Sequence, residues 1–146
     1  MRVKEMMSPD PACCTPDTNL QEVARMMCDY DCGEIPVVSD RANMKIVGVV
    51  TDRDITCRVV AKGDNPAKMT AESCMSSPVI TVTPETTLEE CCRLMEEHQI
   101  RRVPVVDTQT HIVGIVSQAD VARSGAPQVA GEVLAEVSRP SASASM

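Results

Sequence analysis

Two segments of the chain end an apolar run with a hydroxyl side chain and place an acidic side chain three positions later. They read GVVTDRDI at residues 48–55 and GIVSQADV at residues 114–121. This spacing is typical of a helix N-terminal capping box, in which the hydroxyl and the carboxylate each accept a backbone N–H. The same groups suit a ligand, because a carboxylate accepts the hydroxyls of a ribose and a hydroxyl or backbone N–H binds phosphate. The two interpretations are compatible, and the spacing alone leaves both open.

The two segments belong to a longer internal repeat. Residues 7–55 align with residues 75–121 when two extra residues are allowed in the first copy, near residues 41–43. Identical residues include Met7 and Met75, Thr15 and Thr83, Pro16 and Pro84, Leu20 and Leu88, Arg25 and Arg93, Pro36 and Pro104, Val37 and Val105, Val38 and Val106, and Gly48 and Gly114. An internal repeat decides the fold class and therefore has to be recognised first.

Each copy predicts the same series of elements to position its Thr/Ser–Asp segment. An extended piece, 12–15 or 79–83, precedes a proline, and apolar residues at helical spacing then predict a helix from Leu20 or from Leu88. Two β-branched runs follow as predicted strands, 35–38 and 46–50 in the first copy and 103–106 and 112–116 in the second. A second helix is predicted over 52–61, where Gly63 supplies the stop, and over about 118–124. The fold class is therefore α+β with the order βαββα in each copy.

The repeat also predicts the domain organisation. We expect repeat 1 over 1–63, a linker over 64–73 and repeat 2 over 74–124. Residues 125–146 predict a flexible C-terminal tail, with a weakly helical stretch at 129–137 before a low-complexity end. One such copy is too small to bury both faces of its sheet, so we expect the two copies to share their packing.

Composition excludes several classes of protein. The 146 residues carry a formal charge of −7, which argues against a protein that coats nucleic acid or an anionic membrane. No apolar run approaches the length of a membrane span and the N-terminus does not resemble a signal peptide, so we predict a cytoplasmic protein. There is no nucleophile–base–acid order, P-loop or GxGxxG motif, and the chain has 2 histidines, so we predict no catalytic residues and no enzyme.

The chain contains 8 cysteines. We expect reduced thiols that fill the core, because the predicted compartment is reducing and the aliphatic content is sufficient for a core. The spacing of Cys28 and Cys32 is weak evidence for a metal, and we predict no metal site. Cys13 and Cys14 fall on the first extended piece, which leaves one alternative function open: a cysteine-based redox or metal sensor.

At this point the shared motifs resemble a known family. Each copy has a Thr-Pro before a helix, then a Pro-Val-Val run, and then Gly, two apolar residues, Thr or Ser, and an Asp. This order of motifs is similar to that of the CBS domain, which would be present as a tandem pair over about residues 1–123. The resemblance implies two CBS repeats packed sheet to sheet with pseudo-twofold symmetry, and a homodimer. It implies a regulatory protein without a required cofactor, binding AMP, ADP, ATP, S-adenosylmethionine or NAD species in two clefts between the repeats. A regulated protein partner is implied but not identified.

The resemblance also assigns residues to the two clefts. The stronger cleft would use Thr51, Arg53 and Asp54 with Ile80, Thr81, Thr86, Arg101, Arg102 and Val103. The weaker cleft would use Ser117, Ala119 and Asp120 with Cys13, Cys14, Thr18, Gly33, Glu34 and Ile35. Guanidinium groups bind phosphate through charge-assisted hydrogen bonds, whereas a carboxylate repels it. We therefore predict that the cleft with Arg53 tolerates phosphate and that the cleft with Ala119 and Glu34 does not.

Overall fold

The structure is a computed structural model that describes residues 1–124. Its helices are α1 (Leu20–Asp29), α2 (Asp52–Arg58), α3 (Leu88–His98) and α4 (Gln118–Arg123). Its strands are β1 (Ser8–Pro9), β2 (Glu34–Val38), β3 (Ile46–Thr51), β4 (Arg102–Val106) and β5 (Ile112–Ser117). Short 3₁₀ turns lie at Val3–Glu5, Val60–Lys62, Pro66–Lys68 and Ala71–Ser73. The predicted tail, 125–146, and its weakly helical stretch lie outside the described residues.

The chain forms two compact units whose members are not contiguous in sequence. The repeat-1 unit contains Asp10–Val79 and Gln109–Ile112, so the predicted linker belongs to it. The repeat-2 unit contains Met1–Pro9, Ile80–Thr108 and, of the described residues, 113–124. The first nine residues of the chain are therefore part of the unit built from the second copy. Neither unit has a helix long and apolar enough to cross a membrane within residues 1–124.

The repeat-1 unit is built on an antiparallel pair of strands, β2 and β3. Ile35 lies opposite Val50 in the register, and a bulge between Val37 and Val38 shifts the pairing. Asn19 caps α1 by accepting the backbone N–H of Gln21 at 2.9 Å, which starts the helix after the Thr-Pro segment. The helix then turns its apolar face toward the strands. The core residues are Cys14, Leu20, Val23, Met27, Ile35, Val37, Val50, Ile55, Val59, Ala71 and Cys74.

The repeat-2 unit has a three-stranded sheet in the order β1, β5, β4. Thr87 caps α3 by accepting the backbone N–H of Glu90, and the buried face of the helix follows the predicted spacing. Val3 is fully buried, and its backbone N–H donates to the carbonyl of Thr86 at 2.8 Å. The core residues are Val3, Val82, Leu88, Cys91, Cys92, Met95, Val103, Val105, Val116 and Val121.

The repeated glycines let a methionine pack against a strand. A Cβ on Gly48 would lie 2.6 Å from Met75 Sδ, and a Cβ on Gly114 would lie 2.7 Å from Met7 Sδ. In each unit the methionine comes from the start of the other sequence copy. The same glycine–methionine packing therefore occurs in both units, which accounts for the identity of Met7 with Met75 and of Gly48 with Gly114.

Three predicted elements need correction. The extended pieces 12–15 and 79–83 do not form strands; each makes a single parallel bridge, Cys14 with Val37 and Val82 with Val105. Prolines close to both pieces lack the N–H that a longer ladder needs. The second helix of the first copy, predicted to 61, ends at Arg58 and is followed by the 3₁₀ turn. Gly63 does supply the stop, with a φ of 78° at the end of that turn.

Candidate functional site

The segment after β3 forms the capping box that its spacing predicts. Asp54 donates its backbone N–H to Thr51 Oγ1 at 3.0 Å, and Thr51 donates its backbone N–H to Asp54 Oδ2 at 3.0 Å. These reciprocal bonds fix the side chains of Thr51 and Asp54 at the start of α2. We call this pair clamp 1.

The segment after β5 forms the same arrangement. Asp120 donates its backbone N–H to Ser117 Oγ at 3.1 Å, and Ser117 donates its backbone N–H to Asp120 Oδ2 at 2.8 Å. We call this pair clamp 2. Asp120 is a buried acidic residue, with 8% of its surface exposed, whereas Asp54 is half-buried.

The two clamps differ at the second carboxylate oxygen. In clamp 2, Arg123 Nη2 donates to Asp120 Oδ1 at 2.6 Å. In clamp 1, Arg58 forms a longer ion pair with Asp54, with Nε 3.8 Å from Oδ1, and no side chain of residues 1–124 donates a hydrogen bond to that oxygen. Arg58 instead donates from Nη1 to the backbone carbonyl of Cys74 at 3.0 Å. Asp54 therefore keeps an oxygen available for a hydroxyl donor, while Asp120 has both oxygens engaged.

The sheet register determines which predicted residues are neighbours. Glu34 lies opposite Thr51 in the β2–β3 pair, and Asp52 donates its backbone N–H to the carbonyl of Gly33 at 2.9 Å. Residues 33 and 34, assigned from the sequence to the weaker cleft, thus lie beside clamp 1 within the repeat-1 unit. The assignment of residues from the opposite copy to each clamp stays a prediction.

The repeat-2 unit has the matching arrangement. Gln118 donates its backbone N–H to the carbonyl of Arg101 at 2.9 Å, so the segment before β4 lies beside clamp 2. Arg101 is exposed and Arg102 is half-buried. In the repeat-1 unit Arg53, on α2, is exposed. The predicted cations are therefore divided between the two units.

Several predicted site residues also have local structural contacts. Thr18 and Thr86 each accept a backbone N–H at 3.0 Å, from Thr15 and Thr83 respectively, and so form the turns before α1 and α3. Ile35 and Val103 are fully buried in the cores of their units, which leaves their backbone rather than their side chains for any ligand. Ile80 and Thr81 are half-buried.

The cysteines divide into buried and accessible thiols, and none forms a disulfide. Burial raises the pKa of Cys13 to about 11, and burial followed by the neighbouring Cys13 raises the pKa of Cys14 to about 12. Burial likewise raises the pKa of Cys91 to about 12. These thiols are protonated at neutral pH and therefore poor nucleophiles and metal ligands.

Residues 1–124 contain no cluster of three His, Cys, Asp or Glu side chains able to hold a metal ion. Cys28 and Cys57 are exposed and Cys32 is partly so. A thiol-based sensor, the alternative left open by the sequence, would have to use these three. That alternative stays a prediction.

Sequence reasoning missed Arg123 and Gln118. Arg123 follows Asp120 by three positions on a helix, a spacing that brings opposite charges together and that was available in the sequence. The Oε1 atom of Gln118 is buried and has no hydrogen-bond partner among the described residues. No pattern in the sequence indicates this burial, because it depends on how the strands pair.

Two α+β repeats, each with a Thr/Ser–Asp clamp where a strand meets a helix, define a tandem-repeat module. The chain belongs to the CBS domain family, whose family model matches residues 3–60 and 71–126.

This chain covers most of the length of some relatives and a small part of others. A CBS domain-containing protein, YhcV of Bacillus subtilis, is 36% identical over 137 residues, which are 93% of this chain and 94% of the relative. Hypoxic response protein 1 of Mycobacterium tuberculosis is 33% identical over 120 residues, 82% of each chain. An inosine-5'-monophosphate dehydrogenase of Streptococcus pyogenes is 30% identical over 112 residues, which are 77% of this chain and 22% of that enzyme. The similarity to that enzyme thus covers a small part of it.

Solved structures of similar proteins carry different ligands. Hypoxic Response Protein I, solved with two coordinated zinc ions, has a TM-score of 0.77 and 32% identity, over 85% of this chain and 98% of that chain. CBSX2 in complex with AMP has a TM-score of 0.73 and 26% identity, over 84% and 94%. The CBS domain pair of protein MJ0100, in complex with 5-methylthioadenosine and S-adenosyl-L-methionine, has a TM-score of 0.75 and 29% identity, over 84% and 94%.

Proposed function

We propose that this chain is a regulatory module that binds adenosine-containing ligands at clamps 1 and 2 and signals by a change of conformation. The observation that carries the proposal is the carboxylate of Asp54. One oxygen is fixed by Thr51 and the other meets no side-chain hydrogen-bond donor of the described residues. A carboxylate oriented in this way accepts a ribose hydroxyl without first having to break a bond.

The ligands of the similar structures support the chemical class. AMP, 5-methylthioadenosine and S-adenosylmethionine share an adenosine and differ at the 5′ position, which carries a phosphate, a neutral thioether or a sulfonium group. A carboxylate that accepts ribose hydroxyls serves all three ligands. The groups around the 5′ position then decide which one is preferred.

We rank the ligand affinities of the two clamps by the contacts of their carboxylates rather than by the positions of the arginines. The family resemblance assigns Glu34 to the cleft of clamp 2, yet Glu34 pairs with Thr51 across β2 and β3. Side chains opposite each other in an antiparallel pair lie about 5 Å apart at Cβ, so this carboxylate weakens the case for phosphate selectivity at clamp 1. The available oxygen of Asp54 still makes clamp 1 the tighter site for adenosine.

The proposed signal requires two conformations with different ligand affinity. A ligand shifts an equilibrium only to the extent that it binds one state better than the other. We propose that the chain acts as a homodimer and that the shift is read by a protein partner. The energetic requirement applies whichever adenosyl ligand is bound.

Titration calorimetry with adenosine, AMP and S-adenosylmethionine tests this function on the wild type and on the Asp54→Asn and Asp120→Asn variants. Asparagine keeps an oxygen for the backbone N–H of the cap but loses the charge. Hydrogen bonds to charged groups contribute about 1.5–3 kcal/mol, so Asp54→Asn is expected to weaken the tighter site by about ten- to a hundredfold.

The Asp120→Asn variant is the matched control, because it removes the equivalent charge from the equivalent position. It is expected to leave the tighter site within about twofold of the wild-type affinity. Equal losses in the two variants would contradict the proposed order of sites. The absence of heat with every adenosyl ligand from the folded wild type would contradict the function itself.

A further inference from the structure

We infer that Arg123 restricts ligand binding at clamp 2. Its guanidinium occupies the Asp120 oxygen that a ribose hydroxyl needs. This inference rests on the proposed function, since it concerns the occupancy of one of the two proposed sites. It is carried by contacts within the repeat-2 unit alone.

The geometry of Asp120 leaves little for a ligand. Oδ2 accepts the backbone N–H of Ser117 at 2.8 Å and Oδ1 accepts Arg123 Nη2 at 2.6 Å. Both oxygens are engaged, and the carboxylate is 8% exposed. A ribose that approaches this carboxylate has to displace the guanidinium or share Oδ1 with it.

Arg123 itself is free to leave. Its side chain is 73% exposed, and among residues 1–124 its ion-pair partner is Asp120. Because the guanidinium end of this pair is exposed to solvent, the competition that it offers to a ligand is modest and reversible. This makes Arg123 a restriction on clamp 2 rather than a permanent block.

The first copy lacks this restriction because of a single difference in sequence. Aligning the two copies at Asp54 and Asp120 places Cys57 at the position of Arg123. Cys57 is exposed on α2, so it has room for a longer side chain. The neighbouring Arg58 makes only a longer ion pair with Asp54, at 3.8 Å from Oδ1, because its guanidinium donates its hydrogen bond to the carbonyl of Cys74.

The repeat therefore offers a reciprocal experiment. Arg123→Ala removes the restriction from clamp 2 and is measured in the Asp54→Asn background, where clamp 1 is weakened. Cys57→Arg introduces the restriction into clamp 1 and is measured in the Asp120→Asn background. The probe is adenosine, which carries both ribose hydroxyls and no charge, and dissociation constants come from titration calorimetry.

Arg123→Ala is expected to tighten adenosine binding at clamp 2 by about two- to fivefold, the range for an exposed ion pair. Cys57→Arg is expected to weaken clamp 1 by a similar factor. The control is Arg93→Ala, which removes the same charge from the same unit at a residue whose partners are Glu90 and Glu97. This control is expected to leave adenosine binding unchanged.

The outcomes separate this inference from the proposed function. Unchanged or weaker adenosine binding in Arg123→Ala, with the wild type binding normally, would overturn the inference and leave the function standing. Weaker binding of AMP together with unchanged binding of adenosine would make Arg123 a phosphate contact, which also overturns it. No adenosine binding in the wild type and in every variant would contradict the proposed function, and the inference with it.

Discussion

Asp54 and Asp120 each close a capping box through one carboxylate oxygen, and the proposed function assigns the other oxygen to ligand binding. In both residues Oδ2 accepts the N–H that closes the capping box, which accounts for the repeated spacing of Thr or Ser with Asp. The remaining oxygen, Oδ1, distinguishes the copies. The capping box and the proposed ligand contact therefore share one sequence pattern, and the contacts of Oδ1 distinguish the two copies.

The cysteines allow a prediction at the same scale. Thiol labelling of the native protein near pH 8 should modify Cys28, Cys32 and Cys57 first, because the other five thiols are buried. Counting labelled residues by mass spectrometry, with the unfolded chain as the control, measures this directly. Rapid native labelling of Cys13 or Cys14 would contradict the burial described here.

The raised pKa values of the buried thiols add a dependence on pH. Burial holds the pKa of Cys13 near 11 and that of Cys14 near 12, above the ordinary value of 9.0. A group with a raised folded-state pKa contributes stability that is fully present below its unfolded pKa and is lost as the pH rises toward the folded value. The free energy of unfolding should therefore fall from about pH 9 upward, as measured by urea unfolding at a series of pH values.

At the scale of elements, the glycines of β3 and β5 are matched to methionines from the start of the opposite copy. A side chain at Gly114 would meet the backbone carbonyl of Ser8 at 3.0 Å as well as Met7. A side chain at Gly48 would meet only atoms of the flexible Met75 side chain among its three nearest. The two glycines are equivalent in sequence, but Gly114 has less room for a side chain than Gly48.

Gly114→Ala should consequently destabilise the protein more than Gly48→Ala. The carbonyl of Ser8 cannot move without disturbing the pairing of β1 with β5, and overpacking of this kind costs about 1–3 kcal/mol. The Met75 side chain can change rotamer, so Gly48→Ala should cost less. Urea unfolding of the two variants tests this, and an equal or larger loss for Gly48→Ala would contradict it.

The elements also show what the sequence could and could not predict. Periodicity identified α1 and α3, because the faces beginning at Leu20 and Leu88 are buried as spaced. It failed for the pieces 12–15 and 79–83, where single bridges replace strands. It also could not supply the register that places Glu34 beside Thr51, since pairing between strands depends on partners that are distant along the chain.

At the scale of the whole molecule, the internal repeat corresponds to two CBS domains in tandem. Each unit takes a packing segment from the other copy: Met1–Pro9 belongs to the repeat-2 unit, and residues 74–79 belong to the repeat-1 unit. The sequence copies are therefore not the folding units. The two clamps of this tandem CBS pair differ at one carboxylate oxygen, and the proposed function therefore predicts one class of ligand bound with two affinities.

The central claim is that the clamps hold an adenosyl ligand through Asp54 and Asp120. The most direct measurement is native mass spectrometry of the full chain, mixed with AMP or adenosine, beside the Asp54→Asn/Asp120→Asn double variant. The account predicts a bound adenosyl ligand on the wild type, a first equivalent that is tighter than the second, and the loss of both in the double variant. Equal ligand retention by the wild type and the double variant, or none by a correctly folded wild type, would contradict it.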